Sequence, residues 1–291
     1  VVGVGGGRVC DVSKYIARSL KVPCYLVPPI LSTTAWLNST CSLKDGTKDV
    51  HEKGTITKVL ADPAFIAKSP LILNFGGLAD ILCMCSAMGD WMIAHDEIRV
   101  RMPRRAPERV LNFIHTVYDG LEEILQLPLS TEIDLVSPFS LQNLEQNQKK
   151  EFAQFLIHTF IDAMVLCYGL LSGRPLEGSE HLLYYAIEEK FQEPMNHGKI
   201  IALNTLMCLK IQDDYALIKP ELLRSIYSSI GLISPETFEK SFLGSYLEIC
   251  VNMPGFAEKK EYPFSIWNLI SQEAKSFQKK IMDSNDWIFS S

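Results

Sequence analysis

The chain opens Val1-Val2-Gly3-Val4-Gly5-Gly6-Gly7, and Arg8 to Leu20 follows with apolar residues at Val9, Val12, Ile16 and Leu20. A short β-branched strand, a glycine turn and an amphipathic helix, in that order, narrow the possible folds more than any other feature. Cys24 to Val27 reads as a second buried strand stopped by Pro28-Pro29, and Thr55 to Leu60 reads as a third. Together these segments predict an α/β layer. Leu43 to Gly54 is a polar excursion that suits a hairpin turning at Lys44-Asp45-Gly46-Thr47. From Pro63 onward the periodicity is almost wholly helical, punctuated by Pro103, Pro128, Pro138, Pro175, Pro194, Pro220 and Pro235. The expected organisation is α/β over residues 1–62 and all-α over 63–291. A strand at residue 1 leaves its sheet neighbours unaccounted for, so the start of the α/β part is expected to be missing from this sequence.

Bulk properties limit the functions open to such a chain. At 291 residues, with 47% apolar and 21% charged positions, it has the make-up of a soluble globular protein. Its net charge of −6 argues against a nucleic-acid binder, which needs a basic face for phosphates. Eight cysteines lie scattered without zinc-ribbon spacing, and they read as reduced, buried thiols of a cytoplasmic protein. The apolar run Phe152 to Leu171 is interrupted by Gln154, His158 and Asp162. It reads as a buried helix rather than a membrane span.

Two motifs carry chemistry. Gly5-Gly6-Gly7 joins a strand to a helix, where backbone N–H groups can approach a phosphate without side-chain obstruction. Taken alone it is a weak signal, because it lacks the G-x-G-x-x-G spacing. The second motif is a constellation: Asp80 after Gly76-Gly77, His181 after Gly178-Ser179-Glu180, and His197 after Asn196. Two imidazoles and one carboxylate suit zinc or ferrous iron with an open position. On one unbroken helix the two histidines would stand about 24 Å apart. A shared ion therefore requires the helix to end between them. Pro194 offers the break and Asn196 a cap for the next helix.

The run Gly3 to Lys14 resembles the nicotinamide-dinucleotide loop of the iron-containing alcohol dehydrogenase and dehydroquinate synthase superfamily. Ser172 to His181 resembles the S-x-R-P-x-x-G-S-E-H segment of its glycerol-1-phosphate dehydrogenases. Ala61-Asp62-Pro63, Gly77 to Ile81 and Gly89-Asp90-Trp91 match in the same order, so the likeness extends to about residue 210. The resemblance implies a dehydroquinate synthase-like fold whose α/β domain binds NAD or NADP. Its helical domain would hold one divalent metal, zinc favoured over iron, on Asp80, His181 and His197. Gly5, Gly6, Gly7, Arg8, Val9, Ser32 and Asn38 would line the cofactor; Thr34, Asp80 and Tyr185 would face a polyol or polyol-phosphate substrate. A homo-oligomer, a dimer first, is expected.

Departures from the family pattern fall on the substrate side. Pro29 stands where the family usually has a cofactor-holding Thr, Thr34 where it has an Asp, and Tyr185 where a second His is common. Asn38, or Ser39 with a shift of one, stands for a cofactor-contacting Ser. Three functions follow: a polyol or polyol-phosphate dehydrogenase, a dehydroquinate synthase-like cyclase or lyase, and a non-catalytic relative. The second ranks lower, because the Glu ligand and nearby Lys usual in that group are absent: Ile81, Leu82 and Cys83 follow Asp80. Elsewhere bland readings win. His51, His95, His115 and His158 read as structural or exposed, Cys83 and Cys85 as pointing to different sides, and Arg101, Arg104 and Arg105 as a solvated turn. Glu188, Glu189 and Lys190 read as a solvated face, and Asp11 and Lys14 as a pair on the helix surface.

Overall fold

The computed structural model describes residues 1–45, 48–125, 144–192, 195–234, 236–261, 264–269 and 274–290. Strand β1 (Val2–Val4) leads through the glycines into helix α1 (Gly7–Leu20), which ends on Lys21 with φ 54°. Strand β2 (Tyr25–Val27) pairs parallel to β1 with Gly3 opposite Leu26. Beyond β2 lies β5 (Lys58–Val59), giving the sheet order β1-β2-β5. Gly3 is required where it stands, because a methyl there would overlap the Ser13 side chain on α1. The helix can therefore lie directly on the strand.

The third strand is shorter than its Thr55–Leu60 sequence pattern. Thr55 N–H is spent on the Lys14 carbonyl (3.3 Å), and the Thr57 hydroxyl accepts from Cys24 N (3.0 Å). The backbone reaches ladder geometry only at Lys58. Between β2 and β5 a one-turn 3-10 helix (Thr34–Trp36) precedes an antiparallel pair, β3 (Thr40–Asp45) and β4 (Lys48–Lys53). The expected hairpin strands are present; Gly46 and Thr47, together with Pro128, Pro138, Pro194 and Pro235, lie outside the described residues.

Among the described residues beyond Asp62, every regular element is a helix. Asp62 caps α2 (Pro63–Ile66) through Ala64 N, with Pro63 at the first helical position. Helices α3 (Leu71–Leu82) and α4 (Met84–Ile98) meet at Cys83, and α5 (Ala106–Leu125) follows. Next come α6 (Gln146–Leu170), α7 (Ser179–Phe191) and α8 (His197–Gln212). Helices α9 (Pro220–Ser229), α10 (Lys240–Lys259), α11 (Ile266–Leu269) and α12 (Ala274–Phe289) complete the order. One apolar cluster joins the layer to the helices, from Cys10 and Leu26 through Phe75 and Phe160 to Trp267.

Two crossings hold α3 at the centre. A methyl on Gly77 would overlap the Leu31 carbonyl, and one on Gly198 would overlap the Gly76 backbone. These glycines let α3 touch the loop after β2 on one side and the start of α8 on the other. The run Leu71–Ile98 is long and apolar enough to cross a membrane, yet 83% of its most apolar window is buried here, so its apolarity serves the core. Helix α6 passes the same length test at 44% buried. The expectation of a buried helix holds for only one face, since Ile161, Val165 and Tyr168 are exposed along the other.

Candidate metal and cofactor site

Asp80 lies in the last turn of α3, His181 in the first turn of α7, and His197 is the first residue of α8. The helix break required between the two histidines is present. Gln192 closes α7 with φ 54°, and the Asn196 side chain accepts from Lys199 N (3.1 Å) to cap α8. Asp80 Oδ1 is 3.0 Å from His197 Nε2 and 3.3 Å from His181 Nε2. All three donor atoms lie within 4.8 Å of one another. Burial works against the Asp80 charge, but the two imidazoles hold its carboxyl well below the usual carboxylate range. Its other oxygen, Oδ2, accepts from Thr34 N (3.0 Å). Thr34 is thus brought to the site, with its backbone N–H engaged.

A shell of buried polar groups orients this trio. Glu180 Oε1 lies 3.0 Å from His181 Nδ1 and accepts from Gly178 N at 2.7 Å. The second oxygen of Glu180 accepts from Ser86 Oγ (2.7 Å), while Asn204 Nδ2 donates to the Glu180 carbonyl (2.9 Å). With Nδ1 held by a carboxylate, Nε2 of His181 is the nitrogen left for a ligand. Cys83 Sγ, Glu180 and His181 also cluster. Cys83 donates to the Asp80 carbonyl at 3.0 Å, and burial pushes its thiol far above the usual range. It packs against the site as a neutral thiol. Tyr184 sets its ring 4.4 Å from that of His197, edge to face. Sequence reasoning named none of these as site residues. The Gly178-Ser179-Glu180-His181 adjacency was the available signal for Glu180.

Asp90 is a third fully buried carboxylate. Its oxygens accept from Ser179 N (2.5 Å), Gln212 Nε2 (3.0 Å) and Ile266 N (3.0 Å), tying the start of α7 to α8 and α11. Asp90→Ala would leave the buried Ser179 N–H unpaired and reduce Gln212 Nε2 and Ile266 N to their bonds with Ser86 O and Ser179 Oγ, and is expected to cost about 2 kcal/mol or more in urea unfolding. Burial, then the neighbouring Glu180 charge, pushes the Asp90 carboxyl up to about 7. Unfolded, it titrates near about 4, so the folded chain holds this proton through that window. Relative to Asp90→Asn, the wild type should therefore lose stability as pH rises from about 4 to about 7 and change little above. A difference that grows the other way would show that Asp90 folds ionised.

The glycine turn joins β1 to the first turn of α1, and its Gly5 N–H donates to the Val27 carbonyl (3.3 Å). Gly6 occupies the cap position of α1 without any side-chain cap, and nothing would meet a methyl built on it within 4 Å. A methyl on Gly7 would press on Thr33 Oγ1 at 2.8 Å. Arg8 and Val9 are exposed on the same turn, and Ser32 is half-buried across from it. Asn38 differs from its expected role: its Oδ1 accepts from Thr40 N (2.5 Å), so the side chain closes its own loop. Tyr185 donates its hydroxyl to Glu177 Oε1 (2.9 Å) and lies with its ring 6.1 Å from that of His51. The hairpin therefore places the exposed His51 beside Tyr185, a contact its position in the sequence did not show. Arg174 of the S-x-R-P segment donates to the Phe264 carbonyl (2.6 Å) and serves the fold.

The family described as iron-containing alcohol dehydrogenase matches residues 1–70. A glycerol-1-phosphate dehydrogenase [NAD(P)+] of Methanococcoides burtonii is 28% identical over 211 residues, covering 72% of this chain and 53% of that protein. The corresponding protein of Thermoplasma acidophilum is 26% identical over 216 residues, covering 74% and 55%. The chain is similar to members of the iron-containing alcohol dehydrogenase and dehydroquinate synthase superfamily. It spans about half the length of these curated relatives. Among solved structures, a probable glycerol dehydrogenase from Sinorhizobium meliloti aligns with TM-score 0.62 at 17% identity, covering 99% of this chain and 76% of that one. A 2-epi-5-epi-valiolone synthase from Streptomyces hygroscopicus, solved with NAD+ and Zn2+ bound, aligns with TM-score 0.59 at 14% identity, covering 99% and 72%. These likenesses establish a dehydroquinate synthase-like fold with α/β and helical parts.

The remaining expectations divide. All eight cysteines are free and buried. Arg101, Arg104 and Arg105 are exposed, with Arg105 paired to Glu108. Glu189 and Lys190 are exposed, as expected of a solvated face, and there Glu189 pairs with Lys260 (3.0 Å) and Lys190 with Glu248 (3.2 Å), both on or beside α10. Asp11 and Lys14 are not a surface pair. Both are buried, because the loop after the 3-10 helix folds over this side of α1 and covers them.

Proposed function

We propose that this chain belongs to a metal-dependent NAD(P)-linked oxidoreductase acting on a polyol or polyol phosphate. The observation that carries the reading is the convergence of His181 Nε2 and His197 Nε2 on one buried oxygen of Asp80. Two imidazoles and a carboxylate, with a second carboxylate fixing one ring, suit a divalent ion that keeps an open position. We favour zinc over iron, since three protein ligands with a fourth position left open, two His and a carboxylate among them, is a usual arrangement of catalytic zinc. When bound, the ion would polarise the substrate oxygen and stabilise alkoxide character during hydride transfer.

This chain's own residues would do the rest. Backbone N–H groups of Gly6 and Gly7 at the start of α1 would receive the cofactor phosphates, with Gly5, whose own N–H donates to Val27 O (3.3 Å), and Arg8 and Val9 along the same edge. Glu180 holds the His181 ring, Tyr184 backs the His197 ring, and the Thr34 N–H holds the second Asp80 oxygen. Tyr185 and Glu177 form a polar wall that would order a substrate hydroxyl. We place the division between the α/β and helical parts at Asp62, and the expected assembly is a homodimer.

The reading is tested by equilibrium dialysis against zinc, by titration of NADH and NADPH fluorescence, and by following NAD(P)H oxidation with dihydroxyacetone or its phosphate. One metal per chain together with substrate-dependent oxidation is the expected result. Phosphate release without net redox change would point to the cyclase or lyase reading. Absence of both metal and nucleotide binding would remove both enzymatic readings.

A further inference from the structure

Lys14 is fully buried, an unusual position for an ammonium group. Its Nζ donates to the carbonyls of Ala35 (2.8 Å), Asn38 (2.9 Å) and Thr40 (2.6 Å) and pairs with Asp11 Oδ1 at 2.8 Å. Three carbonyls from one short segment satisfy the three protons that an ammonium can offer. Gly54 closes the enclosure, because a methyl there would stand 2.5 Å from Lys14 Cβ and from Cys41 Sγ, and its N–H donates to Ser39 O (2.6 Å). The clamped segment begins one residue after Thr34, whose N–H holds Asp80 Oδ2. It also follows Thr33, which touches Gly7 of the glycine turn. A single buried cation on α1 thus holds the loop that spans the glycine turn and the Asp80 carboxylate.

We propose that Lys14 is a positioning residue, pinning the 35–40 loop so that the Thr34 N–H stays on Asp80 and pre-orders this carboxylate for metal. The metal arm rests on the reading of Asp80 as a ligand; the loop arm stands on geometry alone. Lys14 touches neither the trio nor the expected substrate position, so its effect must pass through the loop. A charge removed from one end of a buried pair leaves the other uncompensated. The informative variant is therefore the double substitution Asp11→Asn with Lys14→Met. Thr34→Pro is the companion variant. Proline is tolerated at the first position of a helical turn, and Thr33 is already extended (φ −156°, ψ 169°), so the local backbone is kept while the ring Cδ takes the place of the N–H and breaks the contact with Asp80 Oδ2.

The experiment measures amide hydrogen exchange of peptides covering residues 31–41 and cobalt(II) affinity by competition with a chelator. In the double variant, exchange of residues 31–41 should rise at least about tenfold while α3 and α8 peptides stay protected, and cobalt should bind about tenfold more weakly. Thr34→Pro should weaken cobalt by a similar factor, and, having no effect on buried charge, it decides the link to Asp80 even where the double variant does not fold. Unchanged exchange in the double variant, or wild-type cobalt affinity in Thr34→Pro, would overturn the proposal. A wild-type chain that binds no cobalt would instead overturn the metal reading, and the exchange measurement would still decide whether Lys14 pins the loop.

Discussion

Asp80→Asn is expected to lower zinc or cobalt affinity by more than about a hundredfold while leaving a folded chain. Asp80 supplies the anionic donor of the trio and is the atom on which both imidazoles converge. An amide of the same shape keeps the space filled but brings no charge, and one of its two heads is an N–H2 that cannot ligate. The same change also weakens the bond from Thr34 N, because a charge-assisted hydrogen bond becomes a neutral one. If hydride transfer depends on Lewis acidity at this point, turnover should fall by about three orders of magnitude or more, since the effect is worth several kcal/mol. Near-UV circular dichroism and a urea melt separate this outcome from unfolding. Retention of wild-type metal affinity in Asp80→Asn would exclude Asp80 as a ligand.

Gly198→Ala carries the second large effect, and it acts through the backbone. A methyl at residue 198 would overlap Gly76 Cα, carbonyl carbon and carbonyl oxygen, all of them main-chain atoms that cannot rotate away. Helices α3 and α8 would have to separate at their closest point. Overpacking of this kind costs about 1–3 kcal/mol and more where only backbone can yield. His197 is the neighbouring residue, so separation also draws its Nε2 away from Asp80. A loss of about 3 kcal/mol in urea unfolding is expected, together with weakened cobalt binding in the fraction that stays folded. The contrast with Gly6→Ala is informative, because nothing surrounds that position within 4 Å. There the expected change in stability is within about 0.5 kcal/mol. Equal melts for Gly198→Ala and wild type would show that the crossing is loose.

Much of the fold was legible in the chain because its signals are local. Alternating Val2 and Val4, the glycine turn and the apolar spacing of Val9, Val12, Ile16 and Leu20 specify strand, turn and helix within twenty residues. The break between His181 and His197 was also readable, since a metal shared by both forbids one continuous helix and Asn196 is a capping residue. Even so, Val9, Val12, Ile16 and Leu20 are largely exposed, whereas Cys10, Asp11, Ser13, Lys14 and Ala17 face inward. Periodicity located the helix while mistaking which side packs on the described part of the sheet. The eight cysteines were read as buried thiols on composition, and that burial is general.

What the sequence by itself determined about this protein is the identity and order of its chemical groups: the glycine turn, the carboxylate and the two imidazoles, each on an element whose local pattern is unambiguous. Tertiary structure alone decided what those groups face. Lys14 and Asp11 look like a solvated i,i+3 pair until a loop twenty residues away lays three carbonyls over the ammonium. Glu180 looks like a helix-start acid until α4, α7 and α8 enclose it against His181. Gly76 and Gly198, far apart in the chain, gain meaning only as the contact that lets α3 meet α8. The physical reason is common to all three. Backbone periodicity is set by neighbours along the chain, whereas the burial of a charge and the approach of two helices depend on segments that meet only after folding.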